Sequence, residues 1–216
     1  MKKVYLHPLS IRIWHWLNAV VMILLMATGL QLRAPAIEVF GDYLTAVALH
    51  KWLGFTATAL FLFWIACYVF GRRFLKHYLY TKKDLAATPS QVVYYLRGIL
   101  RGKKNPFIPS EDSKFNPLQK LAYSFVMLIC MPVIIITGIL FSDILFFLEP
   151  IRFIGGLRVL DTVHVVVAYF FVLYLIVHVY MATLGAHWYS HISAMFTGWE
   201  KEHGNSQERE IDRGKQ

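Results

Sequence analysis

Charge is scarce in this chain, and acid above all: 16% of its 216 residues are charged, with 13 Asp and Glu against 22 Lys and Arg. That excludes the densely charged surface of an ordinary soluble domain, where charged residues make up about 25%. Cysteine is almost absent. Cys67 and Cys130 each lie inside an apolar stretch, with no C-x-x-C-H string and no clustered thiols. Covalent haem, iron–sulfur clusters and structural zinc therefore lack their ligands. No internal repeat is visible, which excludes solenoids and propellers.

What the chain has instead is apolar length. Hydrophobic residues make up 57% of it, and a bilayer-spanning helix takes roughly 20 mostly apolar residues because its backbone must satisfy itself. Four stretches qualify: Ile13 to Leu32, Leu49 to Phe70, Leu121 to Phe141 and Val163 to Leu184. None has Asp or Glu in its apolar body. The expected fold is an all-α membrane protein, a four-helix bundle over residues 1–199, followed by a polar, disordered tail over 200–216.

Short amphipathic surface helices are expected beside the bundle. Thr88 and Pro89 have the form of an N-cap and first helical residue, with Val92, Leu96, Ile99 and Leu100 following at helical spacing. In the tail, Ile192, Met195, Phe196 and Trp199 share another helical stripe. The run from Ile144 to Leu160, interrupted by Pro150 and Gly155-Gly156, is expected to be interfacial. Ala34-Pro35-Ala36 imitates a signal-peptidase site, but the apolar core before it is long for a signal and three more spans follow.

The net charge of +9 could suggest nucleic acid, but the distribution points to a membrane. Eighteen of the 22 basic residues fall at the N-terminus, between the second and third spans, or in the tail; only Arg33, Lys51, Arg152 and Arg158 fall on the other side. The positive-inside rule then predicts a multi-pass membrane protein with both termini cytoplasmic, and no nucleic-acid partner.

Four histidines lie within these spans, where polar side chains are costly and require a partner or ligand. His164 and His178 share the last one, 14 residues apart. At 100° per residue this falls within about 40° of four turns and rises about 21 Å, so both project from one face near opposite leaflets. Alternating helix direction sets His15 level with His178, and His50 level with His164. Each pair can supply both axial ligands of one haem b iron, an arrangement for electron transfer rather than oxygen binding. The candidate metal ligands are thus His15, His178, His50 and His164, and the expected cofactors are two non-covalent haems. Any one such histidine could equally be a packing residue; the joint pattern favours haem.

Gly29, Gly54 and Gly138 lie toward the His50–His164 level, where a flat macrocycle needs room; the plain alternative is small-residue helix packing. Arg12 and Lys51 sit beside ligands and could neutralise propionates, while Arg12 could equally be a topology charge. His187 and His191 form an H-x-x-x-H pair without an evident third ligand. His7, His77 and His203 are expected in solvent. A histidine-based metal or proton transporter is the alternative function, but it would call for intramembrane carboxylates or a helix broken at mid-depth. A structural anchor would not need four costly histidines.

Several strings resemble a known family, the two-haem cytochrome b subunits that anchor nickel–iron hydrogenases, formate dehydrogenases and thiosulfate reductases. They are RIWHW (Arg12 to Trp16), LHKWLGF around His50, FNPLQK (Phe115 to Lys120), ITGIL (Ile136 to Leu140) and HVYMATLG closing the last span. The resemblance covers nearly all of the chain to about Trp199, and HISAMFTGWE leans toward the thiosulfate-reductase-like branch. It implies an electron-transfer subunit of a membrane quinone-linked oxidoreductase. Its partners would be the membrane quinone/quinol pool and a periplasmic oxidoreductase or multihaem cytochrome, with quinone near the inner haem. Asn116 and Gln119 open the third span on that side. They can hydrogen-bond a quinone, helped by Lys120 and Lys114, or merely form a capping box around Pro117.

Overall fold

The computed structural model describes residues 3–70, 78–98, 101–103, 105–107, 115–184 and 188–201. Four helices in it are long and apolar enough to cross a membrane. They are α1 (Leu9–Arg33), α2 (Tyr43–Phe70), α4 (Pro117–Ser142) and α6 (Leu157–Ala182). Between them lie the short helices α3 (Lys82–Val93) and α5 (Leu148–Phe153), and after them α7 (Ser190–Thr197). This is the all-α, four-span fold expected from the apolar runs. Large side chains such as Leu62, Phe63, Leu173 and Ile176 point outward, as lipid-facing helices require and a water-facing surface forbids.

The chain separates into two compact units. One holds residues 13–71 and 124–179; the other holds 1–12, 72–123 and 180–216. In the first, Trp64, Ala46, Ala57 and Leu160 are fully buried, and Trp14 donates its indole N–H to the Leu60 carbonyl at 2.8 Å, tying α1 to α2. Gln31, also buried, closes the α1–α2 connection: its amide donates to the Gly41 carbonyl at 2.8 Å and accepts the Phe40 N–H at 2.9 Å. A short loop carrying unsatisfied backbone groups thus gains two partners from one side chain.

α4 is continuous but widens over Val126–Cys130, where the Met131 N–H reaches back to the Val126 carbonyl. Pro132 immediately follows. It has no N–H to give the preceding turn, and the extra residue accommodates this.

Three sequence expectations are corrected. The surface helix starts at Lys82, not at Pro89. Thr81 is its N-cap, in a full capping box with Asp84, and Pro89 lies inside the helix while Thr88 bonds back to the Asp84 carbonyl. The reciprocal Thr81–Asp84 pair satisfies two free N–H groups, which Thr88-Pro89 cannot match. The Ile144 to Leu160 run is not one interfacial piece: α5 stops at Phe153, and Leu157 to Leu160 already belong to the span α6. Gly155 and Gly156 separate them at φ 105° and 88°; at Gly155 a Cβ would also press 2.9 Å from the Val159 side chain.

The third correction concerns Trp199, which is not on the α7 stripe. Gly198, at φ 86°, ends that helix, and Trp199–Lys201 forms a strand, β2, antiparallel to β1 (Lys3–Tyr5). The strand therefore continues past residue 199, where the tail was expected to start. The ribbon puts Tyr5 opposite Trp199, with ring centroids 5.1 Å apart. The Gly198 carbonyl accepts from the N–H groups of Leu6 and His7. A side chain at Gly198 would meet the His7 carbonyl oxygen at 2.9 Å. Ile99, Leu100, His77, Lys114, His187, His203 and residues 202–216 lie outside the described residues.

Candidate functional site

All four span histidines belong to the same compact unit, 13–71 with 124–179, and they meet in the two pairs that helix direction implies. His15 of α1 faces His178 of α6 with ring centroids 6.1 Å apart. His50 of α2 faces His164 of α6 at 6.3 Å. An imidazole nitrogen sits about 2 Å from a bound metal ion and roughly 1 Å from its own ring centre, so two rings on opposite sides of one ion stand about 6 Å apart. Both pairs match that spacing. Two imidazoles in direct hydrogen bond or stacked contact would be held closer or parallel; here the ring planes are inclined by 49° and 69°.

The surroundings of the pairs differ. At the His50–His164 level, Thr28 Oγ1 lies 2.8 Å from His50 Nδ1 and Thr137 Oγ1 lies 2.8 Å from His164 Nδ1. Both threonines are buried. The residue after each is a glycine beneath the same ring: a Cβ on Gly29 would stand 3.4 Å from His50 Cε1, and one on Gly138 3.6 Å from His164 Cε1. Gly54 has nothing within 4 Å of its would-be Cβ. Phe141 sets its edge against His164 at 5.5 Å. At the His15–His178 level the neighbours are aromatic: Tyr174 stacks on His178 at 5.7 Å and Trp16 meets His15 edge-on at 5.1 Å.

The cations beside these histidines have other engagements. Lys51 Nζ donates to the Ser142 carbonyl at 3.3 Å and is exposed. Arg12 donates through Nη1 to the Phe196 carbonyl, fastening the start of α1 to α7. His191 is on α7. Among the described residues no group of three His, Cys, Asp or Glu converges as a metal site.

Asn116 and Gln119 adopt the capping box: Asn116 Oδ1 accepts the Gln119 N–H at 2.9 Å and Gln119 Oε1 accepts the Asn116 N–H at 3.2 Å. The Asn116 amide also donates to the Tyr95 hydroxyl at 2.8 Å. Burial raises the Tyr95 pKa, outweighing that bond. Nearby, Lys120 pairs with Asp84 at 2.8 Å, both largely buried. Burial pushes the Asp84 carboxyl up, but hydrogen bonds from Lys120 and Thr81 outweigh it and leave its pKa below the usual value.

Residues 6–198 match the model of the prokaryotic cytochrome b561 family. The chain belongs to that family. It is also 30% identical over 211 residues to YdhU of Escherichia coli (strain K12), a protein bearing the name of a cytochrome; the match covers 93% of this chain and 76% of YdhU. Membership makes this a multi-pass bacterial membrane cytochrome b, a haem b protein of electron transfer. Haem b by its nature has no thioether bond to cysteine, and Cys67 and Cys130 are both free.

The threonines were missed in reading the sequence. Their signal was present as a repeated dipeptide, Thr28-Gly29 in the first span and Thr137-Gly138 in the third. Thr-Gly is too common a pair to be noticed until a ring is seen against it.

Proposed function

We propose that this cytochrome carries two haems b, one ligated by His15 and His178 and the other by His50 and His164. In this reading it links a periplasmic redox partner, such as a thiosulfate reductase-like enzyme, a hydrogenase or a multihaem cytochrome, to the membrane quinone pool. The observation that supports it most is the pair of ring separations, 6.1 and 6.3 Å, at two levels of the bundle. Haem b held by a pair of these imidazoles would supply a one-electron couple and leave no open site for oxygen. The chain's own residues do the rest: α6 carries one ligand at each level, Gly29 and Gly138 keep side chains from under the rings, and lipid-facing apolar residues exclude water.

With both termini cytoplasmic, as the basic residues imply, the His50–His164 level is the periplasmic one. The His15–His178 level is then the inner one, where quinone would be served. Asn116 is fully engaged as a cap and as a partner of Tyr95, so Gln119 Nε2, which the cap leaves uncommitted, is the better donor for a quinone carbonyl. Pyridine haemochrome analysis is expected to give two haems per chain. One haem, or two that survive His178→Ala and His50→Ala alike, would overturn the reading. Gln119→Leu is expected to slow haem reoxidation by a soluble quinone analogue with both haems retained.

A further inference from the structure

The outer histidine pair is distinguished by one repeated device. Thr28 is held by α1 so that its hydroxyl lies 2.8 Å from the Leu24 carbonyl, one turn back, and 2.8 Å from His50 Nδ1. Thr137 repeats this on α4, 2.8 Å from the Val133 carbonyl and 2.8 Å from His164 Nδ1. A hydroxyl has one proton to give. The helix carbonyl and Nδ1 compete for that proton, and the tautomer of the ring decides. On the bis-histidine reading Nε2 is the ligand atom, so His50 and His164 carry their hydrogen on Nδ1, donate it to the threonine oxygen and leave the threonine proton to the helix carbonyl. That is the tautomer whose Nε2 can bind a metal ion. If the hydroxyl donated to Nδ1 instead, Nε2 would carry the proton and could not serve as a ligand.

We propose that Thr28 and Thr137 are positioning residues that lock the tautomer and rotation of the two outer imidazoles and tune the outer haem's potential. This rests on the bis-histidine reading above. A partner that accepts the far N–H of a ligating imidazole orients the ring and raises its basicity, which favours the more oxidised metal. The hydroxyl is a neutral acceptor, so it does this without placing a carboxylate in the bilayer, where one would be costly. Gly29 and Gly138 complete the device by letting each ring lie close against bare backbone, at 3.4 and 3.6 Å from the built Cβ positions. At the inner pair Tyr174 stacks on His178 and Trp16 meets His15 edge-on.

The test is a redox titration of the purified cytochrome, followed by haem absorbance and low-spin electron paramagnetic resonance, for Thr28→Val, Thr137→Val and the matching Thr→Ser variants. Valine keeps the shape and removes the oxygen. The expected result is an upward shift of the outer haem's midpoint potential and altered g-anisotropy in the valine variants, with the inner haem unchanged and serine restoring both. Haem affinity at the outer level should fall about 10- to 100-fold. Loss of the outer haem in valine but not in serine also supports the proposal. An unchanged outer potential, or serine behaving as valine does, overturns it. His50→Ala in the same series keeps the two failures apart. If it leaves two haems bound, the ligand assignment falls and this inference with it; if it removes one while the threonine variants do nothing, only the inference falls.

Discussion

The two histidine levels use the same side chains at nearly the same separation, 6.1 and 6.3 Å, but different side chains are seen against the rings at each. Around His50 and His164 the helices present a hydroxyl and a bare glycine to each ring; around His15 and His178 they present Trp16 and Tyr174. Under the two-haem proposal, ligand identity and depth alone would not define the two centres. Hydrogen bonds to the ligands and the polarity of the walls also set what a bound haem does.

The comparison can be broken most directly at the ligands. His50→Ala or His164→Ala should remove the outer haem and leave the inner one, while His15→Ala or His178→Ala should do the reverse, as read by haem-to-protein ratio and the remaining α-band. Loss of both haems from any single change would mean that the two levels are not independent.

Gly29→Val and Gly138→Val come next. Each inserts branched bulk where even a Cβ stands 3.4 or 3.6 Å from the imidazole, so each should empty or strongly weaken the outer level only. Gly54→Ala, with nothing within 4 Å of the new Cβ, should change outer haem content little. Equal losses in all three would remove the steric argument.

A smaller effect is expected from Gln31→Leu, which strips the Gly41 carbonyl and Phe40 N–H of their partner. Gly41 is exposed and Phe40 only partly covered, so each lost hydrogen bond costs about 0.5–1.5 kcal/mol. Thermal unfolding in detergent should show it, with outer-haem release at a lower temperature than inner.

Asp84→Asn should leave the difference between the levels untouched while weakening the whole protein. It strands the largely buried Lys120 charge, a loss on the order of 3 kcal/mol. Because the Asp84 pKa is lowered in the folded chain, its contribution is complete above the ordinary carboxylate value of about 3.9 and disappears as pH falls through the lowered one. Acid unfolding of Asp84→Asn should accordingly show less pH dependence in that window, with both α-bands shifting together.

Much of this was legible beforehand where the information runs along the chain. The Asn116–Gln119 capping box was read correctly because all its partners lie within one turn. The Thr88-Pro89 helix start was misread because the competing cap, Thr81 with Asp84, is equally local and satisfies more of the backbone. Trp199 was misplaced because its strand needs a partner, Tyr5, at the far end of the sequence.

By itself the sequence determined how many times the chain is able to cross a bilayer and which histidines stand at the same level of the bundle, since apolar length and helix rise are one-dimensional quantities. From those two alone came the pairing of His15 with His178 and His50 with His164. Only the tertiary structure decided which way each helix turns about its axis, and so which side chains meet a ring. That rotation put Thr28 and Thr137 on the imidazoles, turned Arg12 to the Phe196 carbonyl and gave Lys120 its carboxylate. Rotation follows from packing among helices whose faces are nearly all apolar, and in such sequences no polar stripe announces which face is inward.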